Sequence, residues 1–165
     1  MNYASIPGYT FATLADKIVV KPQTQIDVYH GTSSVTQQEC NALNGLPAKG
    51  KDIDLIRHIE PPPNRAEASA FIGTVQFPVS PAHDAGAAYW AGDGGWVYHI
   101  REWPGYDIDR LLQGRIPDGK GGYRNPLMYG EQEVAIPARV PMKKIEKVGR
   151  VRMARGGPVV DWSKP

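Results

Sequence analysis

Residues 131–137 read EQEVAIP, so two glutamates one residue apart lead into a short apolar run. The alternation of polar and apolar side chains predicts a strand from Glu131 to Ile136. Because successive side chains of a strand point to opposite faces, Glu131 and Glu133 are expected to project from the same face. Two neighbouring carboxylates are more typical of a functional site than of a solvated surface, although a tripeptide alone fits an exposed strand face equally well.

Composition sets the limits of the fold. The chain has 165 residues, of which 41% are hydrophobic and 22% charged, which is ordinary for one globular domain with its own core. Its net charge of +2 is far from the dense basic clustering of an obligate nucleic-acid binder. Cys40 is the only cysteine, which excludes a disulfide framework and a cysteine-based zinc site. No apolar run approaches the roughly 20 residues that span a bilayer, and no signal-peptide pattern begins the chain, so we expect a soluble protein with no membrane contact.

Glycine and proline indicate a loop-rich architecture. The 18 glycines and 15 prolines make up a fifth of the chain and fall between short apolar runs. This pattern predicts an α+β fold with short strands and a ligand cleft edged by turns. Residues 1–25 show little periodicity apart from 17–20, which predicts a linker or arm, and residues 26–165 are expected to form the domain.

Several segments alternate in the manner of half-buried strands. They are residues 26–30, 70–77, 96–101, 106–108 and 144–153, together with 131–136. Residues 114–130, which carry five glycines and two prolines, are expected to form a long surface loop. Long loops of this kind are often functional.

Cap and stop residues predict four short helical segments. They are residues 35–44, 52–58, the Ala-rich stretch before Gly92, and a turn that ends at Gly114. Ser34 followed by Gln37 has the spacing of a capping box, and Gly45 is suited to ending that helix. Asp52 is the expected N-cap of the second segment, and Ser80 that of the third.

The order of these motifs resembles that of cholera-toxin-like ADP-ribosyltransferases, in which a Glu-x-Glu segment follows a Gly- and Pro-bearing loop. The resemblance covers roughly residues 26–153 as an ordered set of weak motifs. Its other members are residues 107–109, the strand that carries Tyr98, residues 71–75 in the place of a Ser-Thr-Ser strand, and the short helical stretch 53–59. It implies an ADP-ribosyltransferase-like split β-sandwich with short helices flanking an NAD cleft.

Two motifs depart from that family. Where an arginine normally begins the first motif, residues 28–32 read VYHGT, which is more similar to the His-Gly start of poly(ADP-ribose) polymerases, diphtheria-type toxins and rifampin ADP-ribosyltransferases. In the middle motif Gly73 and Val75 stand where serines are usual, and only Thr74 is kept. The hydrogen bond that a serine would give to Glu133 is therefore expected from Thr74 or a backbone group.

The resemblance also implies roles for the two glutamates. The nicotinamide of NAD leaves as a neutral group, so cleavage of its ribosyl bond needs no general acid but does need stabilisation of an oxocarbenium-like sugar. Glu133 is implied to hydrogen-bond the sugar 2-hydroxyl, an interaction that strengthens in the transition state of glycoside chemistry. Glu131 is implied to orient or deprotonate the nucleophile, usually an arginine guanidinium, whose fork a carboxylate matches.

The NAD contacts implied by the resemblance are His30, Gly31, Thr32, Phe71, Thr74 and Tyr89. His30 would bond the adenosine-side ribose, with glycine at 31 allowing close backbone approach. A strand-end histidine without this pattern more commonly makes a structural hydrogen bond. Phe71 and Tyr89 are candidates to sandwich nicotinamide, although Tyr89 fits a core position equally well. In the long loop, Tyr123 and Arg124 are candidates for target contact.

The acceptor is left open by the residues. A bacterial toxin or effector that modifies protein arginine in the target-cell cytoplasm is favoured, with RNA or DNA as the alternative acceptor. A ribonuclease toxin using His30 and His99 as acid and base is a second class. A binding domain that kept the fold and lost the chemistry is a third, suggested by Gly73 and Val75. A free toxin implies an immunity protein, and the remaining histidines lack metal-ligand spacing, so no metal is expected.

Overall fold

The computed structural model describes residues 11–15, 18–64, 68–80 and 86–165. Within these ranges the helices are α1 (Gln37–Ala42), α2 (Leu55–Ile59), α3 (Ala87–Ala91) and α4 (Ile108–Leu112). The strands are β1 (Ala12–Leu14), β2 (Ile18–Val20), β3 (Val28–Thr32), β4 (Gly45–Pro47), β5 (Phe71–Val75), β6 (Trp96–Ile100), β7 (Tyr106–Asp107), β8 (Ile116–Pro117), β9 (Tyr123–Arg124), β10 (Glu133–Pro137), β11 (Arg139–Pro141), β12 (Ile145–Ala154) and β13 (Gly157–Ser163). The predicted α+β class is confirmed, and none of the helices in the described ranges is long and apolar enough to cross a membrane.

The chain divides into two compact units. Of the described residues, those within Met1–Gln25, Ala48–Ile72 and Pro104–Arg139 form the first unit, and those within Ile26–Pro47, Gly73–Trp103 and Val140–Pro165 form the second. Each unit has a cluster of buried apolar side chains of its own. The sequence predicts one domain over residues 26–165, and this boundary stays a prediction.

The described part of residues 1–25 is structured, which the sequence does not predict. Strands β1 and β2 pair antiparallel, and Ala12 and Leu14 are buried in the core of the first unit. The hydroxyl of Tyr106 accepts the Ala12 N–H at 3.0 Å and donates to the Val20 carbonyl at 3.2 Å. Strands of three residues are too short for alternation to reveal, so this segment resembles a linker in the sequence although it packs as part of the unit.

Strand β10 lies in the first unit, where it pairs antiparallel with β7. Four of its five residues are buried, and its first residue, Glu133, is half-buried. The N–H of Ala138, just beyond β10, donates to the Ala70 carbonyl at 2.8 Å, just before β5. The predicted strand over residues 131–136 therefore exists, but it starts two residues later than expected.

The second unit contains an antiparallel sheet in the order β13-β12-β6-β3-β5. The register of β3 against β6 places His30 opposite Tyr98 and Tyr29 opposite His99. Strands β3, β6 and β12 were all predicted by alternation. Strand β13 was not, and it forms a hairpin with β12 in which Val151 faces Val160.

The cap of α1 differs from the predicted one. Thr36 rather than Ser34 is the N-cap, and its hydroxyl accepts the Glu39 N–H at 3.1 Å while the Glu39 carboxylate accepts the Thr36 N–H at 2.9 Å. This capping box lies two residues after the Ser34 and Gln37 pair. The helix then ends at Ala42, and Asn44 takes the left-handed conformation (φ 54°) expected of a C′ residue.

The cap predicted at Ser80 also differs. Helix α3 begins after Gly86, which takes a positive φ of 109° that favours glycine, and the Ala87 N–H donates to the Phe77 carbonyl at 3.0 Å. Pro81, the predicted first helical residue, lies outside the described residues. Helix α3 is consequently shorter than the sequence indicates.

Candidate active site

Glu133 is the first residue of β10, and its carboxylate is held by a histidine of helix α2. Its Oε1 lies 2.8 Å from Nε2 of His58, and the two side chains are 23% and 10% exposed. A carboxylate can only accept, so the Nε2 proton is donated to Glu133. Nothing in the sequence singles out His58 for this role, since the expected partner of the carboxylate is Thr74 or a backbone group.

The other ring nitrogen of His58 is also occupied. Nδ1 lies 2.7 Å from the hydroxyl of Ser69, which in turn accepts the Phe71 N–H at 3.0 Å. The ring of Phe71 packs edge-on against the imidazole at 5.5 Å between centroids. Both ring nitrogens and the ring edge are therefore fixed by neighbours within the first unit.

Contacts of Asp52 and Asp54, at the N-terminal end of helix α2, position His58. Asp54, and not Asp52 as predicted, is the N-cap, with its carboxylate accepting the Arg57 N–H at 2.9 Å. The carboxylate of Asp52 instead receives the Arg57 guanidinium at 2.6 and 2.8 Å. Leu55 is buried in the core. The cap and this anchor set the rotation of a helix that is too short to be stable alone.

Glu60, the residue after α2, anchors the long loop that precedes β10. Arg124 makes a two-pronged contact with its carboxylate at 2.5 and 3.0 Å, and the Leu127 N–H donates to it at 3.2 Å. The Arg124 guanidinium, and after it the Leu127 amide, hold the pKa of Glu60 below its usual value. Arg124, predicted as a target contact, is therefore used as a structural anchor.

The loop is more ordered than predicted and still exposes apolar surface. It contains the β8–β9 hairpin, and near its end the Gly130 N–H donates to both carboxylate oxygens of Asp109 at 3.1 and 3.2 Å. Tyr123 and Leu127 are 71% and 75% exposed. Tyr123 is therefore open to solvent, and its contact with a target stays a prediction.

Glu131 does not lie on the strand. Its N–H donates to the Met128 carbonyl at 3.2 Å in a turn, and Gln132 takes a left-handed φ of 57°. The rule that residues two apart share a face requires an extended backbone at the residue between them. The prediction that Glu131 and Glu133 project from one face of a strand is therefore wrong.

Phe71 is a core residue of the first unit. It is 4% exposed, and its ring packs edge-on against both His58 and Tyr106. The sequence favours it as one side of a nicotinamide sandwich, but in this conformation its ring supports the histidine that holds Glu133.

The remaining NAD-contact candidates lie in the second unit. Nδ1 of His30 lies 2.7 Å from the Gly73 carbonyl, which can only accept, so Nδ1 carries a proton and donates it. Thr74 is buried, and Tyr89 on α3 is half exposed with its ring edge-on to Trp90. His30 therefore makes the structural hydrogen bond weighed from the sequence.

Gly31 and Thr32 make structural contacts that are not predicted from the sequence. A Cβ at Gly31 would lie 1.8 Å from the Ala87 carbonyl oxygen, so glycine is needed for α3 to pack against β3. The Thr32 hydroxyl accepts the N–H groups of Ser34 and Val35 at 3.1 and 3.3 Å, which shapes the turn before α1. Close backbone approach at Gly31 is thus made by the protein's own helix.

His99 belongs to a separate cluster. Its Nε2 lies 2.9 Å from the Asp27 carboxylate, and its ring stacks on Tyr29 at 4.7 Å. Because Tyr29 and His30 are successive strand residues, His99 and His30 project from opposite faces of the sheet. This arrangement separates the acid and base of the predicted ribonuclease alternative.

Among the described residues, no group of three or more His, Cys, Asp or Glu side chains could hold a metal ion. The donors near Glu133 are committed to hydrogen bonds with one another.

Solved structures of similar fold come from ADP-ribosyltransferases and toxins. The chain aligns with EcPltA over 85% of both chains at 17% identity and a TM-score of 0.58. It aligns with a guanine-specific ADP-ribosyltransferase over 95% of this chain and 91% of that one, at 20% identity and a TM-score of 0.58. It aligns with the scabin toxin from Streptomyces scabies in complex with NADH over 93% of this chain and 88% of that one, at 17% identity and a TM-score of 0.54. No family model and no curated protein matches the chain. The likeness confirms the ADP-ribosyltransferase-like fold expected from the sequence.

Proposed function

We propose that the protein is an NAD-dependent mono-ADP-ribosyltransferase that acts as a toxin or effector. The observation that carries the proposal is a held, half-buried carboxylate, Glu133, at the position that the Glu-x-Glu resemblance marks. It is supported by the fold, because the similar structures include ADP-ribosyltransferases and a toxin that binds NADH.

In the proposed reaction Glu133 acts on the ribose beside nicotinamide. The pyridinium nitrogen takes the electrons of the ribosyl bond and leaves as neutral nicotinamide, and the sugar becomes oxocarbenium-like. A carboxylate bonded to the 2-hydroxyl stabilises that charge, and its hydrogen bond is strongest in the transition state. The acceptor nucleophile then bonds to the sugar carbon and loses its proton. His30 is proposed to hydrogen-bond a ribose hydroxyl, and Tyr89 to contact the nicotinamide.

Two acceptors are supported by different observations. A carboxylate at Glu131 matches the guanidinium of a protein arginine, as the Glu-x-Glu resemblance implies. One similar structure is named as guanine-specific, which favours a guanine of RNA or DNA. The preference for arginine depended on Glu131 and Glu133 sharing a strand face, and the turn at Gln132 removes that geometry. Of the two acceptors, guanine therefore has the stronger support.

Release as a toxin implies two further properties. We propose that the chain is secreted or injected and acts in the target-cell cytoplasm, and that the producing cell carries an immunity protein that covers the Glu133 site. A neighbouring gene product that blocks NAD turnover when mixed with the protein would support the second property, and one that binds without blocking turnover would contradict it.

The decisive experiment compares Glu133→Gln with Glu131→Gln on labelled NAD in a cell extract. Substitution at 133 removes a hydrogen bond made to the transition state, so kcat is expected to fall by at least about 100-fold with little change in KM. The matched substitution at 131 is expected to leave NAD hydrolysis in place and to lower transfer to the acceptor.

The fate of the label identifies the acceptor. Label that protease treatment releases and nuclease treatment leaves in place indicates a protein acceptor, and the reverse indicates nucleic acid. Mass spectrometry of the product then identifies the modified group. If NAD is neither consumed nor transferred while RNA is degraded, the transferase proposal is wrong.

A further inference from the structure

We infer that His58 is the positioning residue of Glu133 and that Ser69 fixes the protonation of its ring. The inference rests on the proposed function, because orientation of Glu133 matters to turnover only if this carboxylate reacts. It assigns to a residue of α2 the hydrogen bond that the sequence analysis expected from Thr74 or the backbone.

The direction of each hydrogen bond follows from the chemistry of its partners. The Phe71 N–H can only donate, so the Ser69 oxygen accepts at 3.0 Å, and its own proton is available for His58 Nδ1 at 2.7 Å. With Nδ1 accepting, the neutral ring carries its proton on Nε2, which faces the Glu133 carboxylate at 2.8 Å. The chain of donors runs from the Phe71 amide to the Glu133 oxygen with every polar atom used.

The surroundings limit the ring to this orientation. The His58 side chain is 10% exposed, and the edge-on ring of Phe71 packs against it. Asp54 caps the helix that carries it, which fixes the height of His58 relative to the buried Leu55. One carboxylate oxygen of Glu133 is thereby held on the protein side. The other oxygen, Oε2, is proposed to face the ribose.

The chain offers a matched control in its second unit. His99 bonds the Asp27 carboxylate at 2.9 Å with its own side chain 14% exposed, but Asp27 is 46% exposed and has no role in the proposed reaction. Substitution there removes a histidine–carboxylate bond of the same kind without touching the Glu133 cluster.

Kinetics of NAD hydrolysis test the inference with His58→Phe, His58→Gln and His99→Gln. The phenylalanine keeps a ring against Phe71 but removes the donor, so kcat is expected to fall about 10- to 100-fold, a loss of the size seen when the hydrogen-bond partner that orients a metal ligand is removed. KM for NAD is expected to change by less than about twofold. A glutamine at 58 restores an N–H donor and is expected to recover most of the loss. The control is expected to keep wild-type kcat.

Nitrogen NMR of the imidazole reports the tautomer without any turnover. Wild-type His58 is expected to show a protonated Nε2 and an unprotonated Nδ1. In Ser69→Ala the fixed tautomer is expected to give way to a mixture, with a smaller loss of kcat than in His58→Phe. Melting temperatures of all variants, measured alongside, separate loss of orientation from loss of folding.

The outcomes divide cleanly. Wild-type protein that consumes NAD while His58→Phe keeps kcat within about twofold overturns the positioning role and leaves the proposed function in place. A wild-type tautomer with the proton on Nδ1 also overturns it. Wild-type protein that consumes no NAD overturns the proposed function, and the positioning role falls with it whatever the tautomer.

Discussion

Tyr106→Phe tests whether the segment before Gln25 is an integral part of the first unit. Tyr106 is fully buried, and its hydroxyl bridges the Ala12 N–H and the Val20 carbonyl on two different strands. The substitution leaves a buried amide without this acceptor, which costs about 1–3 kcal/mol, and removes a hydrogen bond worth about 0.5–1.5 kcal/mol. We expect the free energy of unfolding to fall by about 2–4 kcal/mol.

Urea unfolding followed by circular dichroism measures this loss directly. For a chain of this size, each kcal/mol lowers the melting temperature by about 2–4 °C, so a loss of about 2–4 kcal/mol lowers it by roughly 4–16 °C. Tyr123→Phe is the matched control, because the same hydroxyl is removed from a side chain that is 71% exposed. Its free energy of unfolding should change by less than about 0.5 kcal/mol.

A loss in Tyr106→Phe no larger than in Tyr123→Phe would refute the reasoning. It would mean that strands β1 and β2 contribute no stability and that the linker predicted for residues 1–25 describes them better. An intermediate result with a lowered urea m-value would instead indicate that the two strands unfold before the rest of the unit, which also contradicts their integral role.

Two further substitutions test other contacts. Gly31→Ala places a Cβ 1.8 Å from the backbone oxygen of Ala87 and is expected to destabilise the fold by about 3 kcal/mol or more in urea unfolding, whereas Gly156→Ala, with nothing within 4 Å, is expected to be neutral. The pKa of Glu60 is lowered by Arg124, so the stability that the pair contributes is present above the unfolded-state pKa near 4.3 and is lost as the pH falls through the folded-state value. Glu60→Gln is therefore expected to be less stable than wild type by about 1 kcal/mol at pH 7, and this gap closes between about pH 5 and 3; a gap that widens on acidification would contradict this origin.

Long alternating segments were predictable, and short ones were not. Strands β3, β6 and β12 lie where the sequence predicted them, because five or more alternating residues distinguish a strand from a loop. β1 and β2 are too short for that signal, and β13 begins with a Gly-Pro pair that resembles a turn. The hairpin of β12 and β13 is therefore not predicted from the sequence, although its two strands pair over seven residues.

Caps were predictable in kind but not in position. Ser34, Thr36 and two glutamine or glutamate residues give overlapping capping-box spacings, and the local pattern cannot choose between them. Asp52 and Asp54 present the same ambiguity at α2. The choice is made by tertiary contacts, since Asp52 is engaged by Arg57 and Asp54 is then the residue that meets the helix N-terminus.

The turn at Gln132 illustrates a different limit. A left-handed φ is common at glycine and asparagine but not at glutamine, so nothing in the tripeptide indicates that the strand begins only at Glu133. Gly31 shows the reverse case: the sequence predicts a position of close backbone approach, and the neighbour that the structure shows there is Ala87 of helix α3. In both cases the residue type limits the backbone conformation but does not show which part of the structure the residue contacts.

His58 could not be found from local pattern at all, because it reaches Glu133 across 75 residues of sequence. The energetic cost of placing a carboxylate at this position supports a functional role for Glu133. The other four residues of β10 are buried and apolar or proline, and a carboxylate at the head of such a strand costs solvation that an apolar side chain would not lose. The hydrogen bond to His58 offsets that cost, but the carboxylate adds no net free energy of unfolding. Glu133→Gln is therefore expected to leave the free energy of unfolding unchanged or higher while it removes turnover, a separation that a purely structural ion pair would not produce.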